Sequence, residues 1–109
     1  MSTIAGTWLL RMKTPLGTIE AEYRFADEGG VLRGWAADGD ATTALTGVVA
    51  VDSPGGQRVT WRQRITKPLR LDLEYDVTVS GDTLAGESRA GRLPRTPVAG
   101  TRTGRRTGV

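Results

Sequence analysis

Two phenols, an amide, a hydroxyl and an indole are the side chains best placed for chemistry: Tyr23, Tyr75, Gln63, Ser88 and Trp61. Each falls on the apolar phase of an alternating run, so each is expected to face a hydrophobic interior. Such groups donate hydrogen bonds and polarise a carbonyl, but none is a useful base at neutral pH. The chain contains no histidine and no cysteine. That removes imidazole as general base, zinc ligand or triad member, and it removes thiolate nucleophiles and disulfides. Hydrolytic chemistry of the usual kinds is disfavoured. The same side chains also have plain structural readings. The tyrosines can be core phenols whose hydroxyls reach backbone or water, and Trp61 can be core filler or a ligand platform. Gln63 is the sharpest of the set, because a buried amide has about four hydrogen bonds to satisfy.

Other polar signals are weaker. Asp38-Gly39-Asp40 puts two carboxylates on one short loop, which reads as a turn, and no metal site is expected. Glu20 and Glu22, like Asp72, Glu74 and Asp76, alternate onto the outward phase. They read as solvating faces, not as a general-acid pair. No phosphate-cradling glycine loop leads into a helix.

Positioning these groups falls to strands. Ile4–Lys13, Thr18–Phe25, Val31–Ala37, Thr42–Val51, Gln57–Thr66, Leu69–Ser80, Thr83–Ala90 and Val98–Arg102 are strand-like runs, separated by Gly, Pro, Asp and Ser. The alternation predicts an inward set that includes Trp8, Leu10, Met12, Phe25, Leu45, Gly47, Val49, Val59, Leu71 and Leu73. A weak repeat runs through it: Leu32-x-Gly34, Leu45-x-Gly47, Leu84-x-Gly86 and Val98-x-Gly100. Glycine inside a strand suits a tightly coiled wall around a bore with little room. The expected fold is all-β, an eight-stranded antiparallel up-and-down β-barrel.

Gly6-x-Trp8 opens the first strand and Arg102 lies near the end of the last. With eight antiparallel strands in sequence order, Arg102 returns to the end where Trp8 starts. This trio would form a structural floor: the indole plugs it, the glycine lets backbone pass, and the guanidinium lies on the ring. The pattern resembles the calycin superfamily of lipocalins, fatty-acid-binding proteins and avidins, and it implies a calycin-like barrel with an interior. Gly30-x-Leu32-x-Gly34 is similar to the third strand of avidins. The polar cluster with which avidins grip a ureido ring is not recognisable, so biotin binding is not implied. A looser resemblance, carried by size, barrel pattern and apolar lining, is to cofactor-free barrel cyclases of bacterial polyketide pathways. These include catalysts of four-plus-two cycloaddition.

The 109 residues suit one domain. Residues 1–102 are assigned to the barrel and 103–109 to a basic tail. No apolar run reaches the length of a membrane span, and Met1-Ser2-Thr3 leads directly into the first strand. A cytoplasmic location with no membrane partner is therefore expected. The pI near 10.0 invites a nucleic-acid reading, and the charge map argues against it. Residues 1–88 carry nine Lys/Arg and twelve Asp/Glu, a net of −3, whereas residues 89–109 carry six Arg and no acid. The basicity belongs to the chain's end, which reads as a solvated terminus. Trp35 is predicted to point outward beside Arg33, which marks a subunit interface and hence a homodimer.

The expected function is binding of an uncharged, apolar small molecule inside the barrel, with cofactor-free cyclisation or isomerisation of that molecule. Gln63, Tyr75 and Tyr23 would be catalytic, and Met12, Trp61, Ser88, Leu71 and Leu73 would line the ligand. The alternative is a passive carrier of a hydrophobic metabolite, which the same lining suits. An interaction module built on the Trp35 face and the tail is a third reading. Strand parity puts the mouth at Thr14–Thr18, Ala37–Ala41, Thr66–Leu69 and Gly91–Pro97. The last connection is expected to act as a lid hinged at Gly91.

Overall fold

Alternation of apolar and polar residues becomes strand wherever one phase can be buried and the other solvated. A computed structural model describes residues 4–14, 17–38, 41–65 and 70–104. Nine strands form there: β1 Gly6–Thr14, β2 Gly17–Glu28, β3 Val31–Asp38, β4 Ala41–Ala44, β5 Thr46–Ser53, β6 Gly56–Ile65, β7 Leu71–Ser80, β8 Thr83–Arg89 and β9 Thr96–Gly104. They make one antiparallel sheet in the order β4-β3-β2-β1-β9-β8-β7-β6-β5. Its two edges, β4 and β5, are consecutive in the chain, so the sheet curls into a nearly closed up-and-down barrel. This architecture is consistent with a calycin-like barrel.

The strand count is nine, not the expected eight. The predicted fourth strand, Thr42–Val51, breaks at Leu45. Its first half pairs only with β3, through Trp35↔Ala44, and its second half only with β6, through Ala50↔Val59. At the break the Leu45 N–H still follows the β3 register and donates to the Gly34 carbonyl at 2.8 Å. One strand is thereby shared between the two edges of the sheet. Both halves run in the same direction, because each is reached from β1 by an unbroken series of antiparallel pairings. The end-to-end parity therefore survives, and Arg102 lies opposite Trp8 in the β1–β9 register.

The break also changes which residues face inward. Gly47 takes a left-handed φ of 61°, and the β5–β6 register shifts between Thr46 and Val49. This is the signature of a bulge, in which one extra residue reverses the alternation downstream. Val48 and Ala50 consequently pack against the core. Val49 is 52% exposed, so Gly47 and Val49 are not part of the bore. Leu45 keeps its predicted inward place. A Cβ on Gly34 would lie 2.8 Å from Leu45 Cδ1 and 2.9 Å from the Phe25 ring, so this glycine makes room for the residue that closes the barrel.

At the floor, Trp8, Leu10, Val59, Val77 and Val79 are almost wholly buried. The Trp8 indole N–H donates to the Ile4 carbonyl at 2.7 Å. The Arg102 guanidinium lies 4.4 Å from the Trp8 ring centroid. It donates to Asp82 Oδ1 at 2.8 Å, to the Gly81 carbonyl at 3.1 Å and to the Ala5 carbonyl. One side chain thus ties the chain's start to the β7–β8 turn. Gly6 is required there: its φ is +125°, and a Cβ would meet the Gly104 carbonyl at 2.8 Å. The last strand extends beyond the predicted Val98–Arg102 at both ends. Among the described residues, no helix is long and apolar enough to cross a membrane.

Candidate functional site

The inward phases of β1, β2, β6 and β7 converge on one polar cluster halfway up the bore. β6 and β7 set Trp61 opposite Tyr75 and Gln63 opposite Leu73. The Tyr23 hydroxyl lies 2.7 Å from Gln63 Oε1 and 3.2 Å from the Tyr75 hydroxyl, which in turn lies 3.3 Å from Met12 Sδ. Each hydroxyl has a single proton to give. Tyr23 donates to Gln63, and the Tyr75 proton serves the Tyr23 oxygen or the Met12 sulfur. The Gln63 NH2 group is left over, with no hydrogen bond to any described residue. Gln63 is nonetheless only 8% exposed.

Aromatic rings pack around this cluster. Trp61 and Tyr75 stack with centroids 4.8 Å apart and planes 10° from parallel. Phe25 meets Trp61 edge-on at 5.2 Å, and Tyr23 is tilted against it at 5.9 Å. Aromatic pairs of this kind contribute roughly 0.5–1.5 kcal/mol beyond area burial. Trp61 Nε1 is buried without a hydrogen-bond partner. Burial pushes the Tyr75 pKa above the ordinary phenol value, and the Tyr23 hydrogen bond offsets this in part. At neutral pH Tyr75 is therefore a hydrogen-bond donor and not a base.

Toward the mouth the inward residues become progressively uncovered. On β2, Phe25 and Tyr23 are buried, Ala21 is half-buried and Ile19 is 52% exposed. On β7, Val77 and Tyr75 are buried, whereas Leu73 and Leu71 are only half-buried. Above the polar cluster the inward face is apolar and increasingly exposed. Tyr23, Gln63, Tyr75, Met12 and Trp61 are in contact, and Leu71 and Leu73 stand above them. Ser88 is buried opposite Tyr75 in the β7–β8 register, but no hydrogen bond joins it to the cluster. Gly6, Trp8 and Arg102 are at the far end of the barrel.

No protein-family model matches the chain, and no curated protein or solved structure was found to match it. The geometry alone carries the assignment. Of the predicted mouth, Pro15, Leu16, Gly39, Asp40 and Thr66–Leu69 lie outside the described residues, as do residues 105–109 of the tail. The connection after β8 is shorter than expected, since Pro97 is already paired with Glu87 in β9. It makes a tight turn through Leu93 N–H to the Ala90 carbonyl at 3.0 Å, and Arg95 pairs with Glu87 at 3.0 Å.

The outer wall has different chemistry. The acids expected to solvate it are matched with arginines: Glu20 with Arg11 at 2.6 Å, Asp72 with Arg64 at 2.8 Å and Asp76 with Arg58. Two surface cavities open on this wall. One of about 390 Å³ is lined by Arg62, Glu74, Glu87 and Arg89 and also by Trp61, Tyr75 and Ser88. The other, of about 310 Å³, is lined by Glu22, Arg24, Trp35, Ala37 and Thr42. Among the described residues no cluster of His, Cys, Asp or Glu suits a metal ion.

Sequence reasoning missed several contributors. Leu45 as the closing residue, the Ile4 carbonyl under Trp8 and the Asp82 carboxylate on Arg102 leave no mark in local pattern. Gln57, buried below Val59, could have been found, because it shares the phase of Val59, Trp61 and Gln63.

Proposed function

We propose that this protein binds an uncharged, largely apolar small molecule in the upper bore and catalyses its cyclisation or isomerisation without a cofactor. One observation carries the reading: an apolar, increasingly exposed inward face ends on a buried, uncharged hydrogen-bond cluster that has Gln63 N–H groups to spare. The walls would hold two reacting ends of a flexible substrate together, an effect worth ~7–11 kcal/mol at its upper limit. A Gln63 N–H donated to a substrate carbonyl would add polarisation where charge develops. A pericyclic rearrangement conserves the substrate's atoms and asks for no proton from the protein, which suits a cluster with no carboxylate or ammonium among the described residues.

A specific observation favours the carrier as second reading. Tyr23 and Tyr75 direct their hydroxyls at each other, at Gln63 and at Met12, so they are engaged before any ligand arrives. Gln63→Leu separates the two. For a catalyst, kcat falls by ~100-fold or more, far beyond the ~3- to 10-fold loss of affinity that the missing hydrogen bond costs. For a carrier, no turnover is seen in either protein and affinity falls by ~3- to 10-fold. Absence of apolar ligand binding by the unaltered protein contradicts both.

We also infer a homodimer through the outer wall beside the β4–β5 seam. Trp35 lines the smaller cavity, and Val31, Val49 and Val51 stand 57%, 52% and 58% exposed on β3 and β5. The rest of the wall is dominated by ion pairs, so this stripe is the apolar surface with most to gain from cover.

A further inference from the structure

We propose that Trp61 is a second hydrogen-bond donor to the ligand, and that Trp61 and Gln63 together select neutral molecules with two separated acceptor oxygens. This rests on the bore being the ligand site. Both side chains belong to the inward phase of β6, two residues apart, so their Cα atoms are separated by ~6.6–6.8 Å. Trp61 is 2% exposed, and its indole N–H has no partner. The Gln63 NH2 group has none among the described residues, while its Oε1 is engaged by Tyr23.

The contrast with Trp8 gives the orphan indole its meaning. Trp8 is equally buried, yet its N–H reaches the Ile4 carbonyl at 2.7 Å. This fold satisfies a buried indole where the indole only plugs a floor. Trp61 is instead surrounded by rings, Tyr75 stacked on it and Phe25 and Tyr23 around it, and no hydrogen bond reaches its nitrogen. A buried donor without a partner is costly and uncommon in a native interior. Its neighbour on the same face of the same strand, Gln63, is 8% exposed and has amide N–H groups without a hydrogen bond to any described residue. The unfilled groups of the site are therefore donors, and the acceptor on Gln63 is already in use. An apolar frame with two carbonyl oxygens several ångströms apart complements that set. An anion does not, because the cluster contains no cation, and a molecule with a single carbonyl leaves one donor unpaired.

Isothermal titration of the intact protein with naphthalene, α-tetralone and para-naphthoquinone tests this. The three share a fused two-ring frame and offer no, one and two carbonyls. The expected result is a ladder in which each carbonyl tightens binding by ~3- to 10-fold. Trp61→Phe keeps a ring for Tyr75 to stack on and removes the N–H. It should leave naphthalene affinity within about twofold and abolish the step from tetralone to quinone. Gln63→Leu should also abolish one step, and the double variant should bind all three compounds alike. Equal affinity of the unaltered protein for the three compounds overturns the proposal while leaving the bore as a ligand site. So does a Trp61→Phe protein that weakens naphthalene as much as quinone. Failure of all three to bind overturns the site itself. The wild-type ladder needs no variant to fold.

Discussion

Tyr75 shows how a single side chain is set by its surroundings. Burial raises its pKa, and the Tyr23 hydroxyl pulls it partway back. A group whose folded pKa lies above its unfolded value, near ~10 for tyrosine, stabilises the fold fully below that value. The stabilisation is lost as pH rises through the folded pKa. Urea midpoints should therefore be flat in this respect from neutral pH to about pH 9 and fall above about pH 10. Tyr75→Phe should make that alkaline fall shallower. An identical alkaline slope in the variant would show that Tyr75 ionises as freely folded as unfolded. Tyr23, Gln63 and Tyr75 were each legible in the sequence, because a polar residue on the apolar phase of a strand stands out. Their meeting was not. Tyr23 and Gln63 are 40 positions apart and Tyr75 and Met12 are 63 apart, so contact depends on registers across several strands. Ser88 shows the converse, a residue on the right phase that no hydrogen bond joins to the cluster.

Among the strands, the decisive feature is the split of β4 from β5. Continuous alternation from Thr42 to Val51 reads as one strand, and local pattern cannot reveal that its halves serve different neighbours. Closure of the barrel imposes the break, with Leu45 held at Gly34 and the bulge placed at Gly47. Gly47 and Val49 were misplaced for that reason, while the strands without bulges kept their predicted faces. The role of Gly34 is testable by Gly34→Ala. The added Cβ would meet Leu45 Cδ1 and the Phe25 ring within 3 Å, a case of overpacking that costs ~1–3 kcal/mol. Denaturant unfolding should show a loss in that range. A variant within about 0.3 kcal/mol of the parent would mean that Leu45 shifts freely and does not hold the seam.

For the molecule as a whole, the two sides of the wall divide the work. Charge lies mostly on the outer wall, where acids and arginines pair, and the Arg102 guanidinium at the floor is paired with Asp82. The apolar stripe beside the seam is the exception. Light scattering at micromolar concentration should give twice the 11.7 kDa chain mass, and Val49→Glu with Val51→Glu should return the protein to monomer. A wild-type monomer would end the dimer. The central claim, an apolar molecule in the upper bore, is tested most directly by the side-chain N–H resonances of the isotope-labelled protein. The chain has three tryptophans, one at the floor, one on the outer wall and one beside Gln63. On addition of α-tetralone, the Trp61 indole and Gln63 amide signals should move together while Trp8 and Trp35 stay still. Movement of Trp35 alone would put the ligand on the outer wall and contradict the account.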